Sequence, residues 1–173
     1  MSSSRILITF ATHAGSTAEV AKTIGEVLTA KGAAVDVRSV AEVTDLDSCQ
    51  AVVIGSPIHY GEWLAAATAF VDAHKTTLSR IPTACFTLAL RLRETDDATG
   101  RSVETILHPI RLQIKPVSIG LFAGAMDYSK LSAITRLAAQ SKGLPEGDFR
   151  DWDAIRTWVE ALPPLLLGGM AGS

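Results

Sequence analysis

Val52-Val53-Ile54-Gly55-Ser56-Pro57-Ile58-His59-Tyr60-Gly61-Glu62-Trp63 is the stretch on which the reading of this chain turns. It opens as a continuous apolar run, Ala51 to Gly55, and passes into a loop with a proline, glycines and three ring-bearing side chains. A continuous run, unlike an alternating one, belongs to a strand covered on both faces, the pattern of a parallel sheet clothed in helices. Similar runs lie at Ile6 to Phe10, Ala84 to Leu88 and Val117 to Phe122, with a weaker one at Val35 to Val40. Helical spacing fills the gaps, at Ser16 to Lys31, Trp63 to Leu78, Ser102 to Ile114, Leu131 to Gln140 and Trp152 to Leu162. The order βαβ(α)βαβαβα with right-handed crossovers predicts a doubly wound α/β fold. Its five-stranded parallel sheet has the order 2-1-3-4-5, and its ligand crevice lies beside strands 1 and 3.

The 173 residues, 47% of them apolar, suit one domain spanning 1–173 with a single sizeable core. No linker, repeat or low-complexity block interrupts them. Pro163 and Pro164 are expected to stop the last helix, leaving Leu165-Leu166-Leu167-Gly168-Gly169 as a tail free to dock or to fray. Lysine plus arginine number 16 against 18 carboxylates, a net charge of −2 with no basic stripe, which argues against a nucleic-acid partner. Cys49 and Cys85 have no metal-type spacing and read as small buried hydrophobes suited to a reducing cytoplasm. Met1 to Arg5 lacks a signal peptide's apolar stretch, and no apolar run reaches about 18 residues. The expected location is the cytoplasm, with peripheral contact at the inner face of the membrane left open.

Phe10-Ala11-Thr12-His13-Ala14-Gly15-Ser16-Thr17-Ala18-Glu19 joins the first strand to the first helix. A helix start offers unpaired N–H groups and the positive end of the dipole, Gly15 lets the backbone come close, and three hydroxyls add donors. The same residues also read as a capping box, Ser16-x-x-Glu19, which needs no ligand. Neither the P-loop nor the dinucleotide glycine fingerprint is present. Thr12-x-x-Gly15-x-Thr17 resembles the FMN-phosphate loop of flavodoxins. The resemblance implies that Thr12, His13, Ala14, Gly15, Ser16 and Thr17 surround the phosphate, with Ala14 standing where a hydroxyl is common.

The segment after strand 3 narrows the resemblance. Ser56 to Gly61 suits a planar heterocycle covered by Tyr60 or Ile58, whereas Trp63, at a helix start, reads as core. Ile54-Gly55-Ser56-Pro57-Ile58-His59-Tyr60-Gly61 is similar to the Ile-Gly-Ala-Ser-Ile-Arg-Tyr-Gly segment of the flavodoxin-type, quinone-dependent protoporphyrinogen oxidases of bacteria. Ala123-Gly124-Ala125-Met126-Asp127-Tyr128 and Asp151-Trp152 resemble further stretches of that family, so the likeness runs from about residue 5 to 162.

It implies a flavodoxin-like three-layer sandwich that binds FMN through the phosphate loop and through Ser56, Pro57, Ile58, His59, Tyr60 and Gly61. Thr87, Leu88, Ala89 and Leu90, with Gly124 and Ala125, complete the implied set. It also implies an FMN-dependent oxidoreductase that passes electrons from a porphyrinogen to a quinone. The alternative is a flavodoxin-like electron carrier with a protein partner, against which the small net charge argues.

Arg91 and Arg93 read either as contacts for reduced flavin or a carboxylate-bearing substrate, or as a salt-bridged loop with Glu94, Asp96 and Asp97. His59 stands where the oxidases have arginine. The segment between Tyr128 and Trp152 is shorter than theirs, and its stripe of Leu131, Ile134 and Leu137 reads as core contact. The histidines His13, His59, His74 and His108 form no catalytic or metal-binding constellation.

Overall fold

The computed structural model of the chain describes residues 5–93 and 97–171, with side chains as far as 168. Its strands are β1 (Arg5–Phe10), β2 (Ala34–Ser39), β3 (Ala51–His59), the two-residue β4 (Glu62–Trp63), β5 (Thr83–Ala89), β6 (Ser118–Ala123), β7 (Ala125–Met126) and β8 (Gly147–Asp148). The helices are α1 (Ser16–Ala30), α2 (Ala65–Arg80), α3 (Asp97–Ile114), α4 (Ala133–Ser141), α5 (Trp152–Glu160) and α6 (Pro163–Ala171). The main sheet has the order β2-β1-β3-β5-β6, with all four of its neighbouring pairs parallel. Counted without the small β4, this is the predicted 2-1-3-4-5.

Alternate residues of each buried strand feed two cores. Ile6, Ile8, Val53, Phe86 and Phe122 pack under α1 and α5, against Val20, Ile24, Leu28, Ile155 and Val159. Leu7, Val52, Ile54 and Cys85 face α2 and α3, meeting Phe70, Val71, Leu78, Val103 and Leu107. The result is the three-layer flavodoxin-like sandwich. Burial pushes the Cys85 thiol up to about 12 and raises that of Cys49, so both behave as hydrophobes rather than nucleophiles.

Three departures from the sequence reading have physical causes. Strand 3 does not give way to a loop at Ser56. It continues to His59, because Ser56 and Pro57 still pair with Thr87 and Leu88 of β5, and Ile58 and His59 pair antiparallel with Trp63 and Glu62. Pro57 is tolerated because β1 has already ended at the Phe10–Gly55 pair, so the side of β3 to which its missing N–H belongs has no ladder left to serve.

The tail docks. Pro163 begins α6, as proline can at a first helical position, and Leu162 and Leu166 are buried against the α1–α5 core. Helix α3 starts at Asp97, ahead of the expected Ser102, and runs through Pro109 to Ile114. Asp97 is therefore helical, while Glu94 and Asp96 of the suggested salt-bridged loop lie outside the described residues.

Gly55 on β3 is opposite Phe86 on β5, and a Cβ built on it would fall 2.1 Å from the Phe86 ring. The ring is fully buried and has nowhere to retreat. Gly55→Ala is expected to destabilise the protein by about 1–3 kcal/mol, the cost of overpacking. A second change, Phe86→Leu, should recover part of the loss, as read by thermal denaturation; additive losses would refute the steric account.

Candidate functional site

Where β1 stops, the Ala11 N–H donates to the Gly55 carbonyl at 3.0 Å and turns the chain toward α1. Thr12 Oγ1 accepts from the Gly15 N–H at 2.9 Å. Gly15 has φ +96° with nothing within 4 Å of a hypothetical Cβ, so the backbone conformation, and not space, calls for glycine. It is the N-cap of α1, and no side chain caps the helix. The capping-box reading therefore does not hold: the Glu19 carboxylate accepts instead from Arg150 at 3.3 Å. Thr17 is fully buried, and its hydroxyl has no hydrogen-bond partner among the described residues. An uncapped helix start with an orphaned hydroxyl beside it is the state a phosphate would complete.

Beyond Gly55, β3 carries His59 into a two-residue hairpin turn. Tyr60 (φ +53°) and Gly61 (φ +78°) are both left-handed, as such turns require. Glycine accepts this freely; tyrosine does so at a cost, and strain of that kind gathers at ligand sites. The Tyr60 ring is 72% exposed and meets the His59 ring edge-on at 4.3 Å. The His13 ring, from the β1–α1 loop, lies 4.7 Å from that of His59, and Lys142 Nζ sits 5.0 Å over Tyr60. Desolvation first, then the charges of His13 and Lys142, hold the His59 imidazole below its ordinary value.

The two loops and the ends of β5 and β6 open on one cleft of about 580 Å³. Among the residues singled out in the sequence, His13, Ala14, Ser16, Pro57, Ile58, His59, Tyr60, Gly61, Leu88, Ala89, Leu90, Gly124 and Ala125 line it, as do Arg91 and Arg93. Thr12, Gly15, Thr17, Ser56 and Thr87 are not among its lining residues; Thr12 is exposed and Gly15 half-buried, and the other three are buried. Ser56 is fully buried; its hydroxyl donates to the Pro57 carbonyl at 2.9 Å and accepts from the Leu64 N–H at 3.0 Å. Thr87 Oγ1 accepts from Trp63 Nε1 at 2.8 Å, and Trp63 is core, as read. These hydroxyls brace the hairpin against β5.

The far wall was missed. Leu131, Thr135, Ala138 and Lys142 line the cleft, and their spacing is the helical stripe that would have revealed them. The stripe read from the sequence is offset from it: Leu131 is buried, but Ile134 is 82% and Leu137 65% exposed, pointing to solvent and not to core. Helix α4 is held over the cleft by β7 and β8, which pair with each other, and by Arg136 Nε donating to the Tyr128 carbonyl at 3.0 Å. The Tyr128 hydroxyl donates to the Leu144 carbonyl, and the Tyr128 N–H to Glu146 at 2.8 Å. Arg150 ties this excursion to α1: it bonds Asp148 at 2.6 Å and the Ser16 carbonyl at 3.2 Å, which holds the Asp148 carboxyl below the usual carboxylate range. Among the described residues no cluster of three or more His, Cys, Asp or Glu is placed to hold a metal. None of their helices is long and apolar enough to cross a membrane.

A doubly wound sheet with an uncapped helix start after β1 and an apolar cleft at the β1/β3 switch point is the architecture of a mononucleotide-binding α/β protein. The sequence profile of the flavodoxin domain matches residues 7–142, and the chain belongs to that family. It is 29% identical over 173 residues to protoporphyrinogen IX dehydrogenase (quinone) of Escherichia coli, covering 93% of this chain and 96% of that one. It is 30% identical over 125 residues to the protein of the same name from Leishmania major, over 65% of this chain and 54% of that one. A flavodoxin from Pseudomonas aeruginosa superposes with a TM-score of 0.56 at 14% identity, over 94% of this chain and 98% of that one, a likeness of fold. FMN is the cofactor of this flavoprotein family, and the residues present suit it: neutral donors at a helix start for the phosphate, and apolar walls for the ring.

Thr17→Val keeps the side-chain shape and removes the orphaned hydroxyl. The ligand-free protein should then melt no lower than wild type, while FMN affinity falls. A drop in the melting temperature of the ligand-free variant, with FMN affinity intact, would assign Thr17 to the scaffold instead.

Proposed function

We propose that this protein is an FMN-dependent oxidoreductase that oxidises a porphyrinogen and delivers the electrons to a quinone. The flavodoxin-like unit carries the whole site. In this reading the amides after Gly15 and the Thr17 hydroxyl hold the phosphate, and the Pro57–Gly61 hairpin and the Leu88–Leu90 backbone flank the ring. Gly124 and Ala125 close the cleft from β6. When bound, FMN accepts two electrons and can return them singly or together, so the protein's task is to hold it and leave one side open. Oxidation of the porphyrinogen is balanced by reduction of the quinone to quinol.

The observation that carries the reading is the apolar cleft itself. The turn after β5 is Leu90-Arg91-Leu92-Arg93, with no aromatic ring to cover a flavin, and the facing wall is the small-residue side of α4, Thr135, Ala138 and Ala139. This leaves room for a flat substrate. The length of the match to the Escherichia coli enzyme supports the same substrate class. Contact with a quinone-bearing membrane belongs to this proposal: Ile134 and Leu137 are exposed on α4, next in sequence to the cleft-lining Thr135 and Ala138.

Anaerobic turnover of protoporphyrinogen by FMN-loaded protein with menaquinone, followed by porphyrin fluorescence against an FMN-only blank, tests the activity. Rapid protein-dependent fluorescence is expected. No turnover from a protein whose bound flavin is chemically reducible would move the reading to an electron carrier. For the cofactor site, Gly15→Val puts a β-branched residue at φ +96°. It should weaken FMN binding about tenfold or more in a flavin-fluorescence titration. Unchanged affinity would refute the phosphate loop.

A further inference from the structure

Basic side chains from separate parts of the chain gather at the mouth of the cleft: His13 from the β1–α1 loop, His59 from β3, Lys142 from the end of α4, and Arg91 from the turn after β5. Some basic side chains elsewhere have carboxylate partners: Arg150 with Asp148 and Glu19, Arg5 and Arg38 with Asp36, Lys75 with Asp72. Among the described residues none of His13, His59, Lys142 and Arg91 has a carboxylate partner. Arg91 donates only to Ser102 Oγ, at 3.0 Å. The one carboxylate on the cleft wall, Asp127, accepts from the Ser129 N–H and hydroxyl and is committed to its own turn. An ammonium beside an apolar surface, with no internal carboxylate to meet it, is placed to receive an anion.

The geometry points to Lys142, with His59 and His13 beside it, as the group that reads the carboxylate side chains of the substrate. Lys142 itself lies outside the residues proposed to hold FMN, whereas His13 and His59 border both. The inference rests on the proposed oxidoreductase reading for the flat apolar body of that substrate, and on the basic cluster around Lys142 for its acidic arms. Lys142 caps the end of α4, an element that makes no part of the proposed cradle, yet its ammonium reaches over the Tyr60 ring. A carboxylate entering there would meet an ammonium and an imidazole that have no competing internal partner.

The groups surrounding His59 set the sign of the pH dependence. They are His13, Lys142, the Tyr60 and Glu62 of its own hairpin, and Arg91 and Asp127 on the cleft walls. In the free protein its charged form is disfavoured; a bound carboxylate favours it. Binding of an acidic ligand therefore takes up a proton and strengthens as the pH falls through the imidazole range.

The test uses FMN-loaded protein and two probes, protoporphyrin IX and its dimethyl ester, titrated by fluorescence in the same mild detergent. Wild type is expected to prefer the diacid by about tenfold, the worth of one charge-assisted contact. Lys142→Gln should abolish most of that preference and Lys142→Arg restore it, with FMN affinity the same in both. His59→Gln should remove the strengthening at low pH. An absence of preference or of binding in wild type, or a preference retained by Lys142→Gln, would overturn the inference. So would a preference lost only together with FMN, which would assign the cluster to the cofactor. Turnover separates this from the reading beneath it. Protoporphyrinogen oxidation without diacid preference sinks the inference alone, whereas diacid preference without oxidation sinks the oxidoreductase reading and leaves the carboxylate site.

Discussion

At the hydrogen bond from the Ala11 N–H to the Gly55 carbonyl, 3.0 Å long, the two central strands of the sheet part company. One turns away into the loop that opens α1; the other runs on to His59. Parallel neighbours of unequal length leave a step at the carboxyl edge of the sheet, and the step is the floor of the cleft. The close approach that makes it possible is that of Gly55 to Phe86, which seats β5 against β3 and lets Thr87 and Leu88 keep pairing with Ser56 and Pro57 past the end of β1. The hairpin then has a rigid footing, braced by Trp63 on Thr87 and by Leu64 on Ser56.

On that footing the molecule divides its polar work in two. Hydroxyls facing inward, Ser56 and Thr87, are satisfied within the protein and make the scaffold stiff. At the cleft end of the sheet, among the described residues, the first turn of α1 has no side-chain cap, the buried Thr17 hydroxyl beside it has no partner, and Lys142 and His59 meet no carboxylate. Unmet polar potential is costly in a folded protein unless something binding there offsets it. Thr9, Gln50 and Gln113 also keep a buried side-chain oxygen without a partner among the described residues; that of Thr17 lies beside an uncapped helix start at the cleft, which marks this end of the sheet as the place for a ligand. The strained Tyr60 belongs to the same pattern, a residue held in an unfavourable conformation at the rim.

Much of this was legible in the sequence because the signals are local. Continuous apolar runs announced buried parallel strands, and right-handed crossovers left one sheet order for them. The hydroxyl-rich loop ending in Gly15 was recognisable as a helix start with donors to spare. What misled was also local. Ser56, between a glycine and a proline, looked like loop, and the proline pair at Pro163 and Pro164 looked like an end. The first became strand and the second the start of α6, because their neighbours in space offered pairing and burial that neighbours in sequence could not reveal.

The sequence by itself therefore determined the layers, the order of the sheet and the loops that would face a ligand, since periodicity and chain order are properties of the sequence alone. Only the tertiary structure decided which face of α4 looks inward. Leu131, Thr135, Ala138 and Lys142 turn toward the cleft while Ile134 and Leu137 turn to solvent, an orientation fixed by the β7–β8 pair and by the Arg150 tether, some distance away along the chain. It also decided that His13, His59 and Lys142, separated by up to three-quarters of the chain, would come together without a carboxylate among them. Charge converges in space through contacts between distant segments, and no spacing along a sequence records it.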